Sequence, residues 1–236
     1  MFWSRNFAAV VAAAALILGF PTQATAQPVE DTSNEPANVG DAKAAAIAYH
    51  DSGRYMADLA EVAGQAGAWI GAEVPMTPRP AVVFDIDETA LSNWEVITAN
   101  DFGRIINGPC NLPDACGWVA WDLSARSAPI GPTLDTFNLA KNAGATIFFI
   151  TGRDETQRAA TELNLASAGY SGYSRLVMTP PGAGFASAAD FKAPQRAQIE
   201  AEGYTIVANI GDQPSDLAGG HAQRDFLLPD PFYRIP

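Results

Sequence analysis

The sequence predicts an α/β protein, a doubly wound parallel sheet carrying a small inserted cap and preceded by an N-terminal helical segment. Two observations predict it. Apolar runs of strand length alternate with helical patterns of ten or so residues from residue 82 onward, which implies right-handed βαβ crossovers. The strand runs also end abruptly in polar residues, as expected of buried strands that tolerate charge only at their carboxyl ends, where open α/β sheets bind ligands.

The elements follow in order. In Met1–Ala26, Arg5 precedes an apolar run from Phe7 to Phe20 and the segment closes on Ala24-Thr25-Ala26, the layout of a cleavable secretory signal. That run of 14 residues is short against the roughly 20 needed to span a bilayer, so no stable membrane anchor is expected. Residues 27–40 are rich in Pro, Glu, Asp and Ser, without apolar periodicity, and read as a flexible lead-in to a single domain over 41–236. From Asp41 to Val74, Ile47, Tyr55, Leu59, Val62 and Trp69 recur at helical spacing, giving one or two helices.

The strand beginning at Val82 comes next, followed by an insertion over about 94–130 that holds three tryptophans, both cysteines and several Pro and Gly residues. The remainder alternates: helix Thr133–Asn142, strand Ala145–Ile150, helix Glu155–Ala168, strand Leu176–Met178, helix Lys192–Glu202, strand Tyr204–Ile210, and an apolar stretch Phe226–Leu228.

Composition excludes some partners. The formal charge is −12, and −13 once Arg5 is removed, so nothing basic is available to hold a nucleic acid backbone. The two cysteines, Cys110 and Cys116, bracket five residues in a chain that reads as exported, to a periplasm or medium, so a local disulfide is expected. A zinc site lacks support: the spacing exceeds C-x-x-C and only His50 and His221 could assist.

The chemistry-bearing residues sit at strand ends. Asp85 and Asp87 leave the first strand one residue apart and start out facing the same way. Carboxylates that close repel unless a cation or a shared proton intervenes, which suggests a divalent-metal site where one attacks and the other handles protons. After the second strand, Thr151-Gly152-Arg153 could offer a hydroxyl and backbone N–H groups to a phosphoryl oxygen; alternatively Thr151 caps a helix starting near Asp154. Lys192, one of three lysines, stands just before or within the first turn of its helix, where an ammonium would hold a phosphate; the alternative is a solvated lysine. Asp212 ends a later strand as a natural oxygen ligand for Mg²⁺, with Asp216 four residues on and Pro214 in the first turn of a short helix.

That ordered set resembles the haloacid dehalogenase-like (HAD) superfamily of phosphohydrolases. More narrowly, Phe-Asp-Ile-Asp-Glu-Thr-Ala-Leu-Ser-Asn and Ile-Gly-Asp-Gln-Pro-Ser-Asp-Leu are similar to secreted acid phosphatases of its class B and class C branch, which includes plant acid phosphatases and storage proteins, with the likeness covering roughly residues 41–236. The resemblance implies a HAD-like Rossmannoid fold and a Mg²⁺-dependent acid phosphatase acting on small-molecule phosphomonoesters. Asp85 would be the nucleophile and Asp87 the acid and base; Asp85, Asp212 and the backbone carbonyl of Asp87 would hold the metal. Thr151, Gly152 and Lys192 would bind phosphate, and Asp216 would orient Lys192 or a metal-bound water. The amino-terminal lipobox cysteine of surface-anchored class C members is missing, and Ser92-Asn93-Trp94 replaces their Asp-Asn-Ser-Pro-like continuation, so their substrate preference is not carried over.

Trp94, Trp118 and Trp121 are candidates to stack on an aromatic leaving group such as a nucleoside. The rival functions are a non-catalytic storage or binding relative and phosphotransfer to an acceptor alcohol. No Gly-x-Ser-x-Gly elbow or Arg-His-Gly signature is present.

Overall fold

A computed structural model describes residues 36–236; the predicted signal segment and residues 27–35 of the lead-in lie outside the described residues. Helix α1 (Val39–Asp51) starts two residues before the predicted domain boundary because Asn38 caps it, its side chain accepting from the N–H of Gly40 at 2.8 Å. It buries none of its residues, and Ile47 is exposed. Helix α2 (Arg54–Glu73) does bury a stripe, Tyr55, Leu59, Ala63, Ala66 and Ile70, at the spacing of one helix face.

The main sheet is parallel throughout. Its strands are β1 (Pro80–Phe84), β4 (Thr146–Asp154), β5 (Arg175–Thr179), β6 (Thr205–Gly211) and β7 (Asp225–Leu227), in the order β5-β4-β1-β6-β7. The chain lays β4 and β5 on one side of β1 and then returns to place β6 and β7 on the other. The crevice beyond the carboxyl end of β1 is therefore where the winding reverses.

Alternation along the strands gives the sheet two apolar faces. Val82, Phe84, Ile147 and Phe149 belong to one core with Ile70 of α2 and Phe137 of α5 (Gly131–Ala143). Ala81, Val83, Phe148 and Ile150 belong to the other with Phe191 and Ile199 of α7 (Ala188–Ala201). Between Ala81 and Val82 the pairing with β6 shifts by one, leaving Val207 as an extra residue; its carbonyl accepts the indole N–H of Trp69 at 2.8 Å.

The insertion is closed at its base by a two-stranded antiparallel ribbon of β2 (Leu91–Ser92) and β3 (Ala128–Pro129). It carries two short helices, α3 (Trp94–Ala99) and α4 (Trp118–Leu123). Cys110 and Cys116 form a disulfide, and Asn100 clamps Cys116 by giving and receiving a backbone hydrogen bond, both 2.8 Å. Gly117 is required beside it, since a Cβ there would lie 2.4 Å from the carbonyl oxygen of Gly108.

Candidate active site

Asp85 follows the last residue of β1, and its N–H continues the ladder to the carbonyl of Ile210 at 2.9 Å. The chain then folds back sharply: three successive N–H groups, from Thr89 to Leu91, point at the carbonyl of Ile86, and Glu88 takes a left-handed φ of 51°. That turn places Asp87 and Asp85 on the wall of one cavity of about 470 Å³, shared with Gly152, Arg153, Lys192, Asp212 and Asp216.

Each of the first two carboxylates has its own cation. The Lys192 ammonium bridges Asp85 and Asp216, with Oδ1 of Asp216 at 2.7 Å. Arg153 forks onto Asp87, with Nη2–Oδ1 at 2.6 Å and Nε 3.2 Å from both oxygens, and Asn93 adds an amide N–H to Oδ1 at 2.9 Å.

Two features fix Lys192. Helix α7 starts at Ala188, earlier than the sequence suggested, because Ser187 and Asp190 form a capping box; Lys192 therefore lies in the second turn, not before or within the first. Four residues on and on the same face, buried Arg196 donates to the carbonyls of Asp216 at 2.6 Å and Gly220 at 2.8 Å, tying α7 to the segment that follows β6.

Asp216 sits in α8 (Pro214–Leu217), where its Oδ2 accepts the N–H of Gln213 at 2.9 Å. Gly211 makes room for it, since a Cβ there would lie 2.6 Å from the Cβ of Asp216. Asp212 is buried, accepting Thr89 Oγ1 at 2.9 Å and Gln213 Nε2 at 2.6 Å.

Thr151 is fully buried, and its hydroxyl accepts the N–H of Arg153 at 3.1 Å. It does not cap the next helix; Asp154 does, through a capping box with Gln157. Strand β4 also runs past Ile150 to Asp154. The β4–β5 register shifts over this stretch, and Gly152 and Arg153 line the cavity while Thr151, just before them, does not.

Burial raises the Asp85 carboxyl, and with Asp216 and Asp87 nearby it reaches about 7 despite Lys192. Burial would raise Asp87 too, but the Arg153 charge and hydrogen bonds from Arg153 and Asn93 bring it below the usual range. Asp212 is pushed well up, by burial and then by Asp216 and Asp85. Lys192 and Arg153 remain cations: their carboxylate partners outweigh the effect of burial.

Asp85, Asp212 and Asp216 bring oxygens within 4.8 Å of one another, all three residues buried. Lys192 supplies one positive charge against them, and the donors are hard oxygens, so the cluster fits a divalent cation such as Mg²⁺. The Asp87 carboxylate lies outside this cluster, engaged by Arg153.

Sequence reasoning missed the two groups that hold Asp87, Arg153 and Asn93, and missed Asp122 beside Arg153. Arg153 was visible only as the third residue of the Thr-Gly-Arg turn. The tryptophans also differ from expectation. Trp94 is stacked on His50 at 3.7 Å, and Trp121 is buried with its indole N–H on Asn93 Oδ1 at 2.8 Å; of the three, Trp118 alone lines the cavity.

Other buried carboxyls share the raised direction. Burial, then the charges of Asp230 and Asp87, lifts Glu88 from 4.5 to about 8. A folded state that keeps protons the unfolded chain has released loses stability as pH rises through that window, at about 1.4 kcal/mol per pH unit for each such proton. Thermal unfolding of the metal-free chain is therefore expected at lower temperature at pH 8 than at pH 5. Glu88→Gln should flatten this slope; a slope unchanged by the substitution would rule out Glu88 as its source.

Comparison with known proteins agrees with this geometry. The chain is 35% identical over 167 residues to the stem 28 kDa glycoprotein of Glycine max, covering 69% of this chain and 63% of that one. It is 29% identical over 183 residues to acid phosphatase 1 of Solanum lycopersicum, covering 77% and 69%. It is 30% identical over 155 residues to vegetative storage protein 1 of Arabidopsis thaliana, covering 65% and 55%. It thus spans a little over half to about two thirds of the length of these relatives. The class C acid phosphatase of Bacillus anthracis has the same fold, with a TM-score of 0.66 at 19% identity over 83% of this chain and 86% of that one. Among the described residues no helix is long and apolar enough to cross a membrane. Residues 19–236 match the family model of the HAD superfamily, subfamily IIIB (acid phosphatase), and the chain belongs to that family.

Proposed function

We propose that the chain is an exported, Mg²⁺-dependent acid phosphatase that hydrolyses small phosphomonoesters through a phosphoryl group carried on Asp85. The observation that supports this most is the division of the cavity into two carboxylates with separate cations, Asp85 with Lys192 and Asp87 with Arg153. One is placed to attack while the other is oriented to move a proton.

Asp85, ionised, attacks phosphorus as the bond to the leaving oxygen breaks, and Asp87, protonated for this step against the pull of Arg153, gives that oxygen its proton. Asp87 then takes a proton from the water that attacks the acyl phosphate, the phosphorus–Asp85 bond breaks, and both side chains return to their starting states. Lys192, the N–H groups of the Thr151–Gly152 turn and the Thr151 hydroxyl would hold the phosphoryl oxygens. Asp85 and Asp212, with Asp216 in reach and the Asp87 carbonyl as a further oxygen, would hold Mg²⁺. When bound, the ion neutralises charge on the carboxylates and on the phosphoryl oxygens. Export is supported by the amino-terminal sequence pattern and by the Cys110–Cys116 disulfide, which suits an oxidising compartment.

Phosphate release from a panel of aryl and alkyl phosphomonoesters, with Mg²⁺ and after EDTA treatment, tests the reading. Release that EDTA abolishes and Mg²⁺ restores is expected. No release by folded, metal-loaded protein would favour a storage or binding role, a reading kept open by the vegetative storage protein among the relatives. The presence of Asp85 weighs against it.

A further inference from the structure

The insertion reaches Arg153, the cation paired with Asp87, through Asp122. Asp122, on α4, is 2% exposed; its Oδ2 accepts Gln157 Nε2 at 2.7 Å, and its Oδ1 lies 3.2 Å from Arg153 Nη2 with no hydrogen-bond partner of its own. That same Nη2 lies 2.6 Å from Asp87 Oδ1, so one guanidinium nitrogen stands between the carboxylate of the insertion and that of the β1 loop.

Asp87 is held asymmetrically. Its Oδ1 receives Nη2, Nε and the Asn93 amide, whereas Oδ2 receives only the longer contact from Nε. Oδ2 is therefore the oxygen left for exchange with substrate, and the fork fixes where it points. Trp118, Val119 and Asp122 line the cavity beside it, so a leaving group bound there would rest against the element that anchors Arg153.

We propose that Asp122 is a positioning residue that acts through Arg153 to aim Asp87 at the leaving oxygen, linking the inserted cap to proton transfer. This rests on the phosphatase reading above. A misaligned acid impairs departure of poor leaving groups far more than of good ones, which leave without a proton.

The test compares kcat/KM for glycerol phosphate and 4-nitrophenyl phosphate, a ratio that reports steps up to transfer onto Asp85. In Asp122→Asn, kcat/KM for glycerol phosphate is expected to fall about tenfold or more and that for 4-nitrophenyl phosphate by less than about threefold. Arg153→Lys, which keeps the charge but not the fork, should show the same split and serves if Asp122→Asn does not fold. In an Asp87→Asn background, Asp122→Asn should add no further discrimination. Equal losses for the two substrates, or no loss, in either variant would overturn the inference. Asp87→Asn alone separates the two levels: if it shows the split and the other variants do not, only the role of Asp122 falls, and if it shows none, the acid assignment falls and this inference with it.

Discussion

Replacing Asp85 by Asn is expected to abolish phosphate release while leaving the metal-free fold at least as stable as wild type at pH 8. Loss of a nucleophile in a covalent mechanism costs on the order of 10³-fold or more in turnover. Stability should move the other way because Asp85 is one of three buried carboxylates crowded around one ammonium, and burial together with Asp216 and Asp87 has already raised its carboxyl to about 7. Asn keeps an oxygen for Lys192 and removes a charge from the cluster. Turnover combined with thermal unfolding checks both halves. A variant that loses activity only because it unfolds would not support the nucleophile assignment.

Lys192→Met is expected to be damaging in a different way. It leaves Asp85 and Asp216 buried without their shared cation, and breaking a buried pair of this kind costs about 3–5 kcal/mol. The loss should depend on pH. Without Lys192 the folded-state pKa of Asp85 rises further, so the variant's deficit is largest at alkaline pH and shrinks as pH falls and the carboxyl takes up a proton. Added Mg²⁺ should recover more stability in the variant than in wild type, since it replaces the missing charge. Activity should fall about 10²–10³-fold with loss of the phosphoryl contact. Unfolding measured between pH 5 and pH 8, with and without Mg²⁺, distinguishes this from simple loss of packing, which would give a deficit independent of pH and ion.

The strands were legible because fully buried strands are written as short apolar runs, and their ends were legible because charge begins there: Asp85, Thr151 and Asp212 all follow from that pattern. The start of α7 was not, because its signal is a Ser187–Asp190 pair at the edge of a Gly- and Ala-rich loop instead of an apolar period. The holders of Asp87 were hidden for another reason. Arg153 is 66 residues from Asp87, and Asp122 is 35 from Gln157, so nothing local marks these pairs; only the winding of β4 beside β1 and the folding of α4 over the crevice bring them together. Trp94 failed as an exposed platform because α1, which looked like a plain leading helix, brings His50 onto its face.

The most direct test is to quench the enzyme in acid during turnover of a labelled phosphomonoester and locate the label by mass spectrometry. A phosphoryl group on Asp85, absent from Asp85→Asn and accumulating in Asp87→Asn with an aryl substrate, is the predicted result. Phosphate release with no covalent label, or with label on another residue, would contradict the account.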